Sequence, residues 1–408
     1  MVTVLERLRK HLATPEEALE KQLKAIPRDR LYEIVRTALP LDTYAFFLRR
    51  HLKKIAEEDG ISFQAPSLLI RGGLLPESST ITCEIKDSPT SEVDSISGSG
   101  DDFGEKDALN YATLEIVERL FFHHSKNLDQ LTTGLRFEDG EVCKHDSNPC
   151  KILSSSGFAL ESTPIRAMEA ALLEAVERDA FLFHWYSESP PKELIEPPTQ
   201  LGMLWVQAAK QRGLICRIYS LESILTDVHV IYVTVHNPKL ENGYTGFCSG
   251  LSASTSLAQA SEKAFRELDR FVGIFDICLH SGSFPATDIS TPMGRFSLYQ
   301  DPIHFEELRV FTRPGISIHP EKIPDTATPK NRKARLSEWA DRIDSRSIWY
   351  TPTHFKGLRI PLFCAFFTSP NLFQLHYNQT PQTVGALGKA GYRLGSQTLI
   401  REAPHPLP

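Results

Sequence analysis

The sequence lacks the features that mark several large classes of protein. It contains no apolar run of roughly 18 residues or more, and its first residues lack the apolar core of a signal peptide. Its seven cysteines are scattered, without a Cys-x-x-Cys pair, which argues against a zinc site and favours reduced thiols over disulfides. We therefore expect a soluble cytoplasmic protein without a membrane partner.

A basic surface and the common catalytic motifs are also missing. The formal net charge is -6, so nucleic acid is not an expected partner. The chain has no Gly-x-x-x-x-Gly-Lys-Ser/Thr loop, no His-Glu-x-x-His, no Gly-x-Ser-x-Gly and no Gly-x-Gly-x-x-Gly after a strand. The familiar nucleotide, zinc and nucleophile motifs are thereby excluded. The 408 residues are 41% hydrophobic, which is enough for a substantial core.

What the chain does contain is an almost continuously apolar segment from Ile165 to Tyr186, which predicts a buried helix. The spacing of Glu174, Glu177 and Arg178 places them on one face of that helix. Buried charges are costly unless they are paired or bound to a metal, so this face is a candidate site. The alternative is an ordinary ion pair between Glu174 and Arg178, one helical turn apart.

The same Glu-x-x-Glu-Arg pattern occurs earlier in the chain, again followed by aromatic residues. Its members are Glu115, Glu118 and Arg119. A third charged helix is predicted from about Ser256 to His280. Its charged side holds Lys263, Glu267 and Arg270. Three such helices suggest one composite site, in which carboxylates hold Mg²⁺ and the cations take up charge on phosphate.

The remaining sequence alternates between helical and strand-like stretches. Residues 4–58 predict charged helices, with a helix start at Thr14. The Ser-, Asp- and Gly-rich stretch from Lys86 to Asp107 predicts a mobile loop close to the site. Strands are predicted most clearly at residues 215–221 and 228–236, and also at 61–76, 81–85, 347–352 and 358–369.

The chain ends in alternating prolines, namely Pro404, Pro406 and Pro408. Alternate prolines hold an extended conformation with little residual entropy, so such a tail is inserted into a site at low cost. The carboxylate of Pro408 would then be a fixed anion, because its ordinary pKa keeps it ionised at neutral pH. The alternative is a frayed end, as at most chain termini.

Together and in this order, these motifs resemble those of the YcaO family. The resemblance lies in the first Glu-x-x-Glu-Arg motif, the Gly157-Phe158-Ala159 lead into the second, the third helix and the proline-alternating C-terminus. It spans residues 61–408 and implies an α+β, YcaO-type ATP-binding fold that mixes helices and sheets. We expect a catalytic domain over these residues, preceded by an N-terminal helical segment at residues 1–60.

The resemblance implies an ATP- and Mg²⁺-dependent cyclodehydratase, similar to the D component of microcin B17-type synthetases. Such an enzyme phosphorylates a backbone amide oxygen as Cys, Ser or Thr of a ribosomally made precursor peptide becomes thiazoline or oxazoline. The implied metal ligands are Glu115, Glu118, Glu174 and Glu177. The implied nucleotide contacts are these four residues with Arg119, Arg178, Lys263, Glu267 and Arg270. The implied catalytic residues are Arg178, Pro404, Pro406 and Pro408.

The implied partners are the precursor peptide, an E1-like peptide-binding subunit and an FMN-dependent dehydrogenase that oxidises azolines to azoles. Two alternatives remain. One is a non-catalytic scaffold, suggested by Gly98-Ser99-Gly100 where many family members carry Gly-Lys-Gly. The other is a family enzyme that forms thioamides or amidines, against which the proline-alternating tail argues. Arg166 and Arg270 also depart from the common Glu and Gln at their positions.

Overall fold

The structure is a computed structural model in which the described residues form two compact units. The first unit comprises Met1–Leu69, Ser79–Leu172 and Lys330–Thr368, and the second comprises Ile70–Ser78, Leu173–Pro329 and Ser369–Pro408. The structure describes residues 3–14, 17–18, 41–87, 95–126, 133–136, 142–144, 155–187, 189–239, 246–281, 292–313, 316–323, 331–343, 349–358, 360–367, 369, 371–373, 375 and 403–407.

Helices and strands are numbered in chain order over these residues. The helices are α1 (Val4–Arg9), α2 (Ala45–Asp59), α3 (Glu105–Lys126), α4 (Pro164–Ser187), α5 (Gln200–Gln211), α6 (Leu257–Ser281), α7 (Pro292–Leu298), α8 (Arg309–Thr312) and α9 (Arg332–Arg342), with 3-10 turns at Leu41–Tyr44, Pro302–Leu308 and Pro320–Lys322. The strands are β1 (Ser62–Arg71), β2 (Ser79–Lys86), β3 (Ser95–Asp102), β4 (Thr133–Arg136), β5 (Val142–Lys144), β6 (Phe158–Glu161), β7 (Lys192–Leu194), β8 (Ile215–Leu221), β9 (His229–His236), β10 (Phe247–Ser254), β11 (Ile316–Ile318), β12 (Trp349–Thr353) and β13 (Leu362–Phe366). The predicted α+β class is confirmed.

The N-terminal helices pack into the core of the first unit. Val4 and Leu8 of α1 and Leu48 of α2 are buried in one hydrophobic cluster with residues of β2 and α3. The predicted helix start at Thr14 is confirmed, because the Thr14 hydroxyl accepts the Glu17 N–H at 3.1 Å and residues 17–18 are helical. The expected division of the chain at residue 60 stays a prediction.

Two sheets lie in the first unit, with strand orders β1-β2-β3 and β5-β4-β12-β13-β6. Strand β3 corrects the prediction of a mobile loop from Lys86 to Asp107, since residues 95–102 pair antiparallel with β2 throughout. Residues 88–94 of that stretch lie outside the described residues. The strand has few apolar side chains because its backbone approaches α3 directly: a Cβ at Gly98 would lie 2.3 Å from the Ile116 nitrogen.

The second unit is built on a sheet with strand order β10-β9-β8-β7-β11. The strands predicted at residues 215–221 and 228–236 are confirmed as β8 and β9, which pair antiparallel. All eight residues of β10 are buried. Helices α5 and α6 share a hydrophobic core with this sheet, where the Trp205 ring stacks on Phe265 with centroids 5.3 Å apart. The third charged helix, predicted at about 256–280, is confirmed as α6.

Helix α4 has no exposed side chain along its whole length, which confirms the predicted buried helix. Its start is explained by Thr163, whose hydroxyl accepts the Arg166 N–H at 3.3 Å, followed by Pro164 at the first helical position. Proline fits there because its missing N–H has no partner within the helix.

The cysteines whose side chains the structure describes are reduced. None of Cys83, Cys216, Cys248, Cys278 and Cys364 is in a disulfide, and four of these five lie in strands. None of the helices in the described part of the chain combines the length and apolar composition that a membrane-spanning segment needs.

Candidate functional site

In the first unit, α3 presents Glu115 and Arg119 beside strand β3. Glu115 Oε2 accepts the backbone N–H of Ser99 at 2.6 Å, and the Arg119 guanidinium donates to Glu115 Oε1. The ordinary ion pair one helical turn apart, proposed for Glu174 and Arg178, is therefore seen between Glu115 and Arg119. The Arg119 side chain is 46% exposed, so this pair contributes little to stability.

Glu118 lies one turn along α3 from Glu115 and contacts a different strand. Its Oε2 accepts the N–H of Leu160 in β6 at 3.1 Å. Burial raises the pKa of Glu118 to about 8, with a smaller contribution from the negative charges of Glu115 and Glu161. The Leu160 N–H and Arg119 act in the opposite direction. The Leu160 N–H and Arg119 therefore do not fully offset the cost of burying Glu118 as a negative charge.

In the second unit, α4 places Glu177 and Arg178 against strand β10. Glu177 Oε2 accepts the N–H of Ala253 at 2.9 Å, and Arg178 Nη1 lies 3.5 Å from Glu177 Oε1. Both side chains are at least 85% buried, because only 13% and 15% of their surfaces are exposed. Burial raises the pKa of Glu177 to about 8. The positive charge of Arg178 lowers this pKa, whereas the negative charges of Glu267 and Glu174 raise it.

Helix α6 adds a second carboxylate to the same strand. Glu267 Oε2 accepts the N–H of Leu251 at 2.6 Å, and Arg270 Nη2 lies 3.6 Å from Glu267 Oε1. The Arg270 guanidinium also stacks over the Phe271 ring, 4.8 Å from its centroid. Lys263 is exposed one turn before Glu267. The second unit therefore brings Glu177 and Glu267 together on strand β10. Glu174 acts on the same site, because its negative charge raises the pKa of Glu177.

These carboxylates suit a metal that is shared with phosphate oxygens. Among the residues that the structure describes, no group of three His, Cys, Asp or Glu side chains is placed to hold an ion alone. Mg²⁺ commonly uses one or two carboxylates, with water and substrate phosphates completing its octahedron. Glu115, Glu177 and Glu267 each give one oxygen to a strand N–H, and this fixes the direction of the other oxygen. Within each unit, taken by itself, the carboxylates fit a Mg²⁺–nucleotide complex rather than a protein cage.

The C-terminal tail is held inside the second unit. His405 and Leu407 are each only 1% exposed, and Pro406 is buried as well. The Trp185 indole donates to the Ala403 carbonyl at 3.3 Å, and the Tyr299 hydroxyl donates to the Pro404 carbonyl. The tail is therefore not frayed at residues 403–407. Pro408 lies outside the described residues.

Several contributors to the site escape sequence reasoning. The backbone donors of β3, β6 and β10 have no side-chain signature, because any residue except proline supplies an N–H. The close packing of α3 on β3 and of α6 on β10 does have a sequence signal, which is a glycine seventeen residues before a glutamate. Gly98 precedes Glu115, and Gly250 precedes Glu267. Tyr299 had no signal, because it is remote in sequence from the tail that it contacts.

Residues 140–346 match the model of a family described as YcaO cyclodehydratase, ATP- and Mg²⁺-binding. This segment contains the second Glu-x-x-Glu-Arg motif and the third charged helix. No curated protein matches the chain.

Several solved structures share the fold. A YcaO protein from Methanopyrus kandleri, bound with AMPPCP and Mg²⁺, is 16% identical with a TM-score of 0.56, over 80% of this chain and 89% of that one. A chain of the E. coli microcin synthetase McbBCD complex with pro-MccB17 bound is 15% identical with a TM-score of 0.57, over 85% and 96%. A heterocyclase in complex with substrate and cofactor is 12% identical with a TM-score of 0.54, over 80% and 53%. At these identities the likeness establishes the fold alone.

Proposed function

Because the chain belongs to the YcaO family, whose members bind ATP and Mg²⁺, we propose that it is an ATP-dependent cyclodehydratase acting on a ribosomally made precursor peptide. One observation carries the proposal. Glu115, Glu177 and Glu267 share one arrangement, in which a strand N–H holds one carboxylate oxygen and an arginine of the same helix lies by the other. An ordinary surface ion pair needs no such backbone support, whereas a phosphoryl-transfer site needs fixed charges.

The proposed reaction balances as follows. The thiol or hydroxyl of a Cys, Ser or Thr attacks the carbonyl carbon of the preceding amide, and its proton is lost. The terminal phosphoryl group of ATP passes to the former amide oxygen, releasing ADP. The amide nitrogen then loses its proton, a carbon–nitrogen double bond forms, and phosphate leaves. The net change is one ATP hydrolysed to ADP and phosphate, and one water lost from the peptide for each azoline ring.

The charged residues divide this work between them. We assign Mg²⁺ binding to Glu115, Glu118, Glu174 and Glu177, and contacts to the nucleotide to these residues with Arg119, Arg178, Lys263, Glu267 and Arg270. Bound Mg²⁺ supplies positive charge to the phosphoryl oxygens. Arg178 is 15% exposed, so its charge acts in a partly desolvated setting where it stabilises the transferring group strongly. We assign the catalytic role to Arg178 because the family resemblance implies it; its partial burial is shared with Arg270, whose side chain is 19% exposed.

The tail is assigned to the reacting end of the peptide. Pro404 and Pro406 stiffen a segment whose last described residues are buried, and we assign the terminal carboxylate of Pro408 a role at the reacting amide. A fixed carboxylate can orient the peptide or accept the proton lost during ring closure. Partners of the kinds expected from the sequence, an E1-like peptide-binding subunit and an FMN-dependent dehydrogenase, would deliver the peptide and oxidise the rings.

The test uses the full chain, purified with its partner proteins and a precursor peptide that contains Cys, Ser and Thr. Glu118→Gln and Glu177→Gln keep the side-chain shape and the acceptor for the strand N–H but remove the charge. We expect each to lower ATP consumption by about 10²-fold, while thermal unfolding is preserved. If both variants consumed ATP at the wild-type rate, the nucleotide site would be wrong.

Mass spectrometry of the peptide distinguishes azoline formation from thioamide formation and from a non-catalytic scaffold. Ring formation removes one water per ring, whereas thioamide formation exchanges an oxygen for a sulfur. A scaffold leaves the peptide unchanged and consumes no ATP. Arg178→Lys tests the catalytic role: lysine cannot reproduce a planar guanidinium contact, so turnover should fall about tenfold. Normal turnover with a lowered unfolding temperature would instead assign Arg178 to a structural ion pair.

A further inference from the structure

Two buried aromatic side chains donate hydrogen bonds to the backbone of the C-terminal tail. The Trp185 indole nitrogen lies 3.3 Å from the Ala403 carbonyl oxygen, and the Tyr299 hydroxyl donates to the carbonyl of Pro404. Both side chains are fully buried, and their rings contact edge to face, with centroids 6.4 Å apart. These donors therefore hold two consecutive carbonyls of the tail, just before the buried residues 405–407.

Trp185 belongs to a helix that also holds a site carboxylate. Trp185 lies on α4, eight residues after Glu177 and therefore about two turns along a continuous helix. Its ring is fixed by stacking on Phe181 and Phe311, with centroids 6.2 and 6.3 Å away. The position of the tail is thus linked through a rigid helix to the position of Glu177.

Tyr299 is linked to the same site through its neighbour. The Gln300 side chain accepts the Gly246 N–H at 2.7 Å and donates to the Phe247 carbonyl at 2.6 Å, which ties this segment to the first residue of β10. The N–H groups of Leu251 and Ala253, further along β10, hold Glu267 and Glu177. A single strand thus carries both the anchor of Tyr299 and the supports of two carboxylates.

We infer that Trp185 and Tyr299 are positioning residues: they form a clamp that sets the C-terminal tail in register with the carboxylates of β10, α4 and α6. The inference rests on the proposed function, because it takes the tail to act in ring formation. Tail backbone carbonyls are suitable handles, since prolines leave the tail few N–H groups by which it can be held. The clamp acts on the tail, and not on the nucleotide.

The test compares two buried tyrosines that each donate to a backbone carbonyl. Tyr299→Phe removes the bond to the tail, whereas Tyr219→Phe removes a bond of the same kind to the Phe311 carbonyl at 2.7 Å. Both variants lose one buried hydroxyl, so similar falls in unfolding temperature are expected. Only Tyr299→Phe should lower kcat for ring formation, by about tenfold, with KM for ATP unchanged. Trp185→Phe should act in the same direction.

The position of the tail is read directly by a thiol introduced at Leu407, which is 1% exposed. Maleimide labelling of that cysteine in the full chain carrying Leu407→Cys is followed by peptide mapping. Tyr299→Phe should speed the labelling by about tenfold, whereas Tyr219→Phe should leave the rate unchanged. Equal labelling rates, or equal kcat values, in the two tyrosine variants would overturn the clamp.

A third chain, lacking Leu407 and Pro408, separates this inference from the function on which it rests. If that truncation stops ring formation while Tyr299→Phe behaves like Tyr219→Phe, the tail acts in catalysis but the clamp is wrong. If the truncated chain forms rings at the wild-type rate, the catalytic role of the tail is wrong, and the clamp falls with it. Loss of ring formation in both the truncated chain and Tyr299→Phe, with ATP affinity retained, supports the clamp.

Discussion

The strand–helix pair β3–α3 of the first unit and the pair β10–α6 of the second are built alike. In each, an eight-residue strand pairs antiparallel with the strand before it along its whole length. In each, a glycine of the strand lies against the helix backbone, and a glutamate seventeen residues later accepts the N–H of the residue after that glycine. The two distances, from Glu115 to Ser99 and from Glu267 to Leu251, are both 2.6 Å.

The pairs differ in where the second carboxylate comes from. In the first unit both carboxylates come from one helix and accept N–H groups of two strands, because Glu118 of α3 accepts the N–H of Leu160 in β6. In the second unit two helices serve one strand, because Glu177 comes from α4, and α6 has Arg270 at the position that corresponds to Glu118. The common feature is therefore a carboxylate seated on a strand N–H. The Glu-x-x-Glu-Arg pattern is one way to deliver it.

Removing the close approach in either pair should have the largest effect. A Cβ at Gly98 would lie 2.3 Å from the Ile116 nitrogen, and a Cβ at Gly250 would lie 2.0 Å from the Ala264 oxygen. Both neighbours are helix backbone and cannot move aside alone. We expect Gly98→Ala and Gly250→Ala each to lower the free energy of unfolding by about 3 kcal/mol or more, measured by urea denaturation.

Gly104→Ala is the matched control, since its Cβ would meet only the Asp107 carboxylate, at 3.5 Å. It should lower the free energy of unfolding by no more than about 1 kcal/mol, which is the cost of alanine at the N-cap position that Gly104 occupies before α3. If Gly98→Ala were as mild as this control, the helix would not be seated on its strand as the structure shows. If only one of the two glycines were sensitive, the likeness of the two pairs would be superficial.

Removing the carboxylate should cost less, and equally in both pairs. Glu115→Ala and Glu267→Ala leave the N–H groups of Ser99 and Leu251 without the acceptor that they have in the structure, which costs about 1–2 kcal/mol in the free energy of unfolding. Glu115→Gln and Glu267→Gln should recover most of that loss, because the amide oxygen still accepts the N–H. A glutamine variant as unstable as its alanine counterpart would show that charge, and not the backbone bond, holds the pair together.

The sequence predicts one half of each pair and misses the other, for a physical reason. Helices α3, α4 and α6 follow from apolar spacing and charge, and β8 and β9 follow from β-branched runs. Strand β3 was wrongly predicted as a mobile loop, because periodicity reports side chains that bury apolar surface. At Gly98 and Gly100 the backbone itself is buried against a helix, so the usual pattern is absent.

The site divides in the same way. The charged residues were predictable because buried carboxylates at helical spacing need an explanation, and the order of the motifs identified the family. The contacts to strand N–H groups, and the bonds from Trp185 and Tyr299 to the tail, depend on long-range packing between residues remote in sequence. The roles assigned to individual residues, including Pro408, stay predictions.

The smallest effect is a proton balance that compares Glu118 with Glu177. Both carboxyls have a pKa of about 8 in the folded protein, against 4.5 without the fold. Between these values the folded state binds more protons than the unfolded state, so the stability of the ligand-free protein falls as pH rises from about 4.5 to about 8.

Binding of Mg²⁺ and ATP requires ionised carboxylates and releases those protons. Calorimetry at pH 7 in two buffers of different ionisation enthalpy should therefore show a release of about two protons, and Glu118→Gln and Glu177→Gln should each reduce it by about one. A variant that left the proton release unchanged would remove that glutamate from the nucleotide site and end the functional likeness between the two units, even if both strand–helix pairs fold as described.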